Sequence, residues 1–469
     1  MRVFLVYPDT GNYLRGEDRC QANVSGSSAT SIREPLDMMQ VAGVLKKEKI
    51  ECKFVDYNLS ENSLEKDINS FNPNIALLSS TNSTLFEDLK FAQKIKKINP
   101  SIKLIIKGAV FFNMPLRFIN KNYNNFKYID IIVRTEIDIK IKELIENIKS
   151  PKKVNSIFYN NESDFLETEM IYNQFKSLKE LPSPDRSIFN NDLYVRPDTN
   201  EKIATIEISR GCLYSCSYCL TPIISGKKIR YRSSNQILTE IKDCYYNYNI
   251  KNFFFRADTF TINKKLVHSL CKSLLDEGLN INWVANSRSD TLDEETIKIM
   301  KKSGCYLIAF GFEGPKKTKI RTLKKSNEKE DFKVLELCKK YNIKSYGFFI
   351  IGFYWQGISE IKETIRYMNK LNCDFVELHL ATPYYGTKLF NEMSSENLIN
   401  LDEVYSHDYF SNPVLGTKYI SKEKLKLIRK KALKRYYLRP SYIIKKLSEL
   451  SSLTELFNYI KYGFKILKD

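Results

Sequence analysis

The sequence predicts an α/β protein: a doubly wound parallel-sheet domain, then a partial (β/α)6 TIM-type barrel, then a helical C-terminal extension. Three observations carry this reading. Residues 1–150 alternate apolar strand-like runs with stretches whose apolar residues recur at three- and four-residue steps. A second strand–helix series begins near Ile203 and runs to about Pro383. From about Glu396 the chain keeps a helical period and turns strongly basic.

In the first region the predicted strands are 3–7, 52–57, 75–79, 104–107 and 129–133, with helices over 36–49 and 85–98 between them. Strands that alternate with helices form a parallel sheet covered on both faces, and ligands of such sheets sit at the carboxyl ends of the strands. Those ends carry residues 8–11, 79–84 and 108–113. Residues 151–198 read as a linker with small connecting strands, because the segment SLKELPSPDRSIF places two prolines in a polar context. Strands follow at 203–209, 252–257, 281–285, 307–311, 345–351 and 375–380. Six βα units make an open barrel whose chemistry gathers at the C-terminal strand ends. The expected domains are therefore a Rossmannoid domain over 1–150, the linker over 151–198, the barrel over 199–395 and the basic helical extension over 396–469.

Composition narrows the function classes. A chain of 469 residues exceeds what one core supports, and 43% hydrophobic with 28% charged residues suits a globular enzyme. No apolar run reaches eighteen residues, and MRVFLVYPDTGNY reads as a first strand with no signal peptide, so a cytoplasmic location is expected. Ten cysteines over this length are too sparse for a disulfide scaffold. The net charge of +19 invites an anionic partner, but Lys is abundant throughout. Residues 421–469 alone hold fourteen Lys/Arg against four Asp/Glu, a net of +10. Segment 436–446 of that tail mixes Tyr, Leu and Ile with Arg and Lys. It could meet an anionic membrane or cover a lipid-like substrate, although packing on the barrel mouth with a solvated basic face is the favoured reading.

Three cysteines are bunched. Cys212, Cys216 and Cys219 follow the first barrel strand in IATIEISRGCLYSCSYCL, spaced C-x3-C-x2-C. Thiolates are the natural ligands of iron–sulfur clusters, and three of them leave one iron of a four-iron cluster open. Zinc is the rival, but a closed zinc site wants a fourth Cys or His nearby, and the only histidines are His268, His379 and His407.

This triplet, with the aromatic Tyr218 before its last cysteine, resembles the signature of radical S-adenosylmethionine (SAM) enzymes. The resemblance implies that the open iron chelates the amino and carboxylate groups of SAM, and that an electron from the 4Fe-4S cluster splits the sulfonium into methionine and a 5′-deoxyadenosyl radical. Five further segments match the family in order. FFFRADTFTIN puts Ala257, Asp258 and Thr259 where the family binds the SAM amino group. INWVANSRSDTLDEE offers Arg288 for the carboxylate or ribose. IAFGFEG places Glu313 near the ribose, with Gly314 where Ser is usual. GFFIIGF resembles the adenine-side strand and ATPYYGTKLF the closing segment. An isolated Glu or Arg at a strand end is more often a surface ion pair. It is the ordering of six segments over residues 203–390 that carries the identification.

A doubly wound domain before such a barrel is similar to the cobalamin-binding subgroup, which includes class B radical SAM methyltransferases and the anaerobic magnesium-protoporphyrin cyclase type. No His precedes His268, so the D-x-H-x-x-G ligation of cobalt is impossible here. The subgroup's small-residue elements are matched in part around Ser80 and Gly108, where a loop can lie close to a nucleotide tail. The resemblance implies cobalamin binding without a histidine ligand.

The expected function is radical methylation of an unactivated carbon or of phosphorus on a small-molecule or lipid-like substrate, with a flavodoxin- or ferredoxin-type electron donor. A radical is needed because an unactivated C–H bond offers no acidic proton to acid–base catalysis. Three alternatives compete. A radical oxidative cyclisation or rearrangement would release no S-adenosylhomocysteine. An RNA-modifying methylthiotransferase would need three more first-domain cysteines, where only Cys20 and Cys52 stand, so nucleic acid is not the expected partner. A non-enzymatic cobalamin- or cluster-based sensor has no need of the whole SAM-site sequence.

Overall fold

The computed structural model describes residues 1–9, 13–15, 22–24, 33–171, 177–324, 326–399, 415–450 and 452–468. The end of the 8–11 stretch, Cys20 and His407 lie outside these residues.

The first sheet contains β1 (Arg2–Tyr7), β2 (Glu51–Asp56), β3 (Ile75–Ser79), β4 (Lys103–Lys107), β5 (Ile131–Val133), β6 (Ile157–Asn160) and β7 (Phe165–Glu167). Their order is β2-β1-β3-β4-β5-β6-β7. The first five are parallel, and all but the edge strand β2, where only Val55 and Asp56 are buried, are largely or fully buried, as helices on both faces require. Strand order reverses between β1 and β3, so the crevice for a ligand opens beyond Tyr7 and Ser79. β6 and β7 fall in the stretch expected to be a linker, yet they join this sheet antiparallel. Ile157, Phe158 and Phe165 have no exposed surface, and burying them is what draws the segment onto the edge of β5.

The second sheet runs in chain order: β8 (Ile203–Glu207), β9 (Asn252–Arg256), β10 (Asn282–Ser287), β11 (Cys305–Glu313), β12 (Lys344–Ile351) and β13 (Phe375–Leu380), all parallel. It does not close, which leaves β8 and β13 as edges. Behind it, aromatic and aliphatic side chains fill the space to the helices, with Phe255 stacked on Trp283 at 4.7 Å.

The open edge at β8 is covered by charge. Arg186, with no exposed side-chain surface, pairs with Glu34 at 2.6 Å and Glu240 at 2.9 Å, and donates to the Thr205 carbonyl at 2.8 Å. Glu34 accepts from the Thr205 amide. Both backbone groups of an edge residue, which would otherwise seek another strand, are thereby satisfied.

The extension forms helices Lys422–Tyr437, Pro440–Ser448 and Leu453–Lys468. It does not lie on the barrel mouth. Tyr436 donates to the Cys373 carbonyl at 2.6 Å, and Tyr437 bonds both backbone groups of Val376, at the amino end of β13. Asn458 donates to the Asp198 carbonyl at 2.7 Å, just before β8. The tail thus bridges the two edge strands at the end opposite the cysteine loop, where Tyr436 is fully buried, while Leu425, near the start of its first helix, is buried against Gly352 beyond the carboxyl end of β12.

First domain and barrel share a core. Phe4, Phe111 and Phe112 belong to the same buried cluster as Phe353, Leu389 and Phe390. Arg230 makes a bidentate pair with Glu136 at 2.7 and 2.8 Å, and Arg210 pairs with Asp138 at 2.5 Å.

Candidate active site

The cysteine loop leaves β8 through Ser209–Arg210, which pair antiparallel with Arg230–Tyr231. Gly211 has φ +100, and a Cβ there would sit 2.5 Å from the Lys228 carbonyl oxygen, so only glycine turns the chain at this point. The loop is pinned by backbone bonds at several places. The Cys212 amide donates to Gly226, the Ser217 amide to Thr322, and the Leu389 amide to the Ser217 carbonyl at 2.8 Å. A short helix, Thr221–Ile224, follows, and Tyr218, Leu220, Ile223 and Ile224 pack against the core shared with the first domain.

All three thiols are free, partly buried and within electrostatic reach of one another. Burial pushes each of them up. The Tyr214 amide opposes this at Cys212, the Lys324 ammonium at Cys216 and the Thr221 hydroxyl at Cys219. A metal would have to displace their protons. Among the described residues no three Cys, His, Asp or Glu side chains converge as ligands of a single ion. Zinc needs donors about 2.3 Å from one point. His268 faces Thr296 at 3.0 Å and His379 lies beside Glu377, so neither stands as a fourth ligand to the loop. Three neighbouring thiols with no fourth Cys or His beside them among the described residues suit an iron–sulfur cluster with one open iron better than a closed zinc site.

The other residues singled out from the sequence gather here with unequal roles. Asp258 accepts from the Gly211 amide at 3.0 Å and the Thr221 hydroxyl at 3.1 Å. Ala257 packs its methyl into the core behind the sheet, which leaves only its backbone for the site. Thr259 is buried beside it. Arg288 grips Asp290 through two bonds of 2.8 and 2.6 Å and lies 3.6 Å above the Tyr214 ring. Burial works against its charge, and the Asp290 carboxylate outweighs it. Glu313 is buried with φ +63, an uncommon conformation for a side-chain-bearing residue, and pairs with Lys324 at 3.4 Å. Burial, then Glu313, hold the Tyr218 phenol well above its ordinary value.

In the first domain Ser80 and Gly108 meet. A Cβ on Gly108 would lie 2.1 Å from the Ser80 carbonyl oxygen, and Gly108 has φ +155. The Ser80 hydroxyl is buried without a hydrogen-bond partner in the structure. A close backbone approach and an unsatisfied donor beside the switch-point crevice fit a polar ligand tail. Gly108 also lines a cavity of about 50 Å³ with Arg210, Ser225 and Arg256, so this crevice adjoins the two ends of the cysteine loop.

Sequence reading missed Thr221, Lys324 and the pairs that fasten Arg210 and Arg230 to the first domain. The partners lie 37, 11, 72 and 94 residues apart, and no local spacing signals them.

Comparison with known proteins gives concordant matches. A model of the radical SAM superfamily matches residues 206–368, and a model of the B12 binding domain matches residues 23–144. An uncharacterized methyltransferase of Pyrococcus horikoshii is 27% identical over 456 residues, spanning 96% of this chain and 95% of its own. The anaerobic magnesium-protoporphyrin IX monomethyl ester cyclase of Rubrivivax gelatinosus is 23% identical over 412 residues, 84% of this chain and 70% of its own. Among solved structures, the cobalamin-dependent SAM radical enzyme OxsB aligns with TM-score 0.72 at 16% identity, covering 99% of this chain and 72% of its own. The radical SAM methyltransferase TsrM from Kitasatospora setae aligns at 0.66 and 14%, covering 84% and 75%. These two share the fold.

Proposed function

The chain is a radical SAM enzyme of the cobalamin-dependent, methyltransferase-like group, with a B12-binding domain ahead of its barrel, and from that premise we propose that it methylates an unactivated carbon or phosphorus of a small-molecule substrate. The observation that carries the proposal is the placement of the two cofactor-fitting regions. The Gly108 crevice borders the same small junction cavity as Arg210 and Ser225, which flank the cysteine loop, so the two regions lie side by side across the domain junction.

When bound, the cluster and SAM supply a 5′-deoxyadenosyl radical, and cobalamin supplies the methyl group. The chain's own residues bind and exclude. Cys212, Cys216 and Cys219 hold the cluster. Asp258 and Thr221 fix the loop that carries them. Arg288, Glu313 and the backbone at Ala257–Thr259 line the SAM position. Ser80 and Gly108 receive the cobalamin tail. The shared aromatic core around Phe353 and Phe390 keeps water from the junction.

The electron comes from a flavodoxin- or ferredoxin-type donor, and free thiols with a low-potential cluster suit the cytoplasm. No helix among the described residues is long and apolar enough to cross a membrane. The test is anaerobic reconstitution with iron, sulfide and hydroxocobalamin, followed by product analysis with SAM and a reductant. Methyl transfer gives methionine, 5′-deoxyadenosine and S-adenosylhomocysteine together. Loss of cluster absorbance on changing the three cysteines to alanine is expected, and its persistence would refute the ligand assignment. Deoxyadenosine without S-adenosylhomocysteine, with candidate substrate present, would favour the oxidative or rearrangement chemistry instead.

A further inference from the structure

Beneath the site the barrel encloses a chamber of about 530 Å³, floored by the C-terminal helices. Protein interiors leave few voids larger than a water molecule, and ligand pockets run from about 300 to 1,000 Å³. This chamber falls within the range of ligand pockets.

Its position follows from strand periodicity. Thr205, Phe254, Asn286, Ala309 and Phe348 line it, one from each of five successive strands. Two residues further along come Glu207, Arg256, Arg288, Gly311 and Ile350, with Arg288 one residue past the end of β10. Side chains two apart on a strand face the same way, so the second set forms the layer directly above, about 6–7 Å nearer the strand ends. That layer belongs to the site: Glu207 and Arg256 line the junction cavity, and Arg288 lies against Tyr214 in the cysteine loop.

Three of the lining charges are matched. Arg196 pairs with Asp198 at 2.6 Å, Lys446 with Glu449 at 2.9 Å, and Glu34 with Arg186. The guanidiniums of Arg33 and Arg196 lie 4.5 Å over the rings of Phe254 and Tyr306. The floor also reaches solvent. Ile443 and Leu447 line the chamber yet are 42% and 55% exposed, beside Ile444 and Phe457, each 67% exposed. A hydrocarbon entering between these helices meets apolar surface from outside to inside.

We propose that this chamber binds the apolar hydrocarbon part of the substrate, an acyl-type chain or a fused-ring skeleton, admitted through the C-terminal helices and held below the reacting atom. This deepens, and rests on, the radical chemistry proposed above.

The test titrates the full-length, anaerobically reconstituted protein with two fluorescent probes, cis-parinaric acid for a chain and dehydroergosterol for a fused ring. Saturable one-to-one binding of either supports the proposal and names the source. Ala309→Phe fills the chamber, and Leu447→Glu charges its entrance at a half-exposed position that folding tolerates. Each should weaken the bound probe by about tenfold or more. Should Ala309→Phe fail a circular-dichroism melt, Leu447→Glu decides. No saturable binding of either probe, or binding untouched by the folded variants, overturns the proposal. Deoxyadenosine release by the wild-type protein is measured in parallel. Release without probe binding removes the chamber alone, whereas probe binding without release removes the radical reading and leaves a hydrocarbon site.

Discussion

The Asp258 carboxylate accepts the Gly211 amide at 3.0 Å, so a residue two positions beyond β9 holds the first turn of the cysteine loop that follows β8. Its second oxygen takes the Thr221 hydroxyl at 3.1 Å, on the far side of the three cysteines. One carboxylate thus spans the loop from entry to exit. This makes Asp258 a positioning residue, in addition to any contact it makes with SAM.

Asp258→Ala should lower iron and sulfide content on reconstitution while leaving cobalamin uptake unchanged. Hydrogen bonds to a charged group are worth about 1.5–3 kcal/mol each. Asp258→Asn, which keeps one acceptor oxygen, should retain part of the cluster. Equal loading of wild type and Asp258→Ala would show that the loop is held without this clamp.

Gly108→Ala separates the two halves of the molecule. The added methyl meets the Ser80 carbonyl, and its backbone angle is one that alanine resists, costing about 1–3 kcal/mol. Cobalamin retention after gel filtration should fall at least severalfold, with cluster loading preserved. A variant that keeps cobalamin as well as the wild type does would take the crevice out of the binding site.

Arg186 and Glu34 form a buried pair whose members should be coupled in stability. Removing Arg186 strips Glu34 of its cation in the core, at about 3–5 kcal/mol, whereas removing Glu34 leaves Arg186 with Glu240 and should cost less. Replacing both, as Glu34→Gln with Arg186→Met, should destabilise by less than the sum of the two single changes in urea unfolding. Strict additivity would show that the pair does not act as a unit on the β8 edge.

Burial pushes the thiols of Cys244, Cys271 and Cys338 up to about 12, whereas an unfolded thiol titrates near pH 8.5. Their folded-state pKa values are raised, so the stabilising contribution is complete below about pH 8.5 and is lost as pH climbs towards 12. Each group contributes a slope of about 1.4 kcal/mol per pH unit in that window. Urea midpoints should therefore drop on going alkaline, and Cys271→Ala should flatten the drop. The metal-free protein offered iodoacetamide at pH 8 should label Cys212, Cys216 and Cys219, which are partly exposed, well before these three. Preferential labelling of Cys271 would contradict the packing described here.

Much of the molecule was legible in the residues themselves. Strands β3 and β13 begin and end where their apolar runs do, and the helix Leu85–Ile98 matches its periodicity, because local sequence repeats the geometry of the element it forms. The C-x3-C-x2-C spacing pointed to iron–sulfur chemistry, since thiolate ligation depends on residue type and short-range spacing, and its place after the first barrel strand was legible beside the apolar run of β8. Only tertiary structure decided the rest. That Glu313 faces Lys324, that Asp258 clamps Gly211, that Ser80 touches Gly108, and that the basic tail floors the barrel instead of capping it are contacts between distant segments. They are selected by which apolar surfaces bury together and which buried polar groups find partners, a choice that a linear pattern does not encode at any one position.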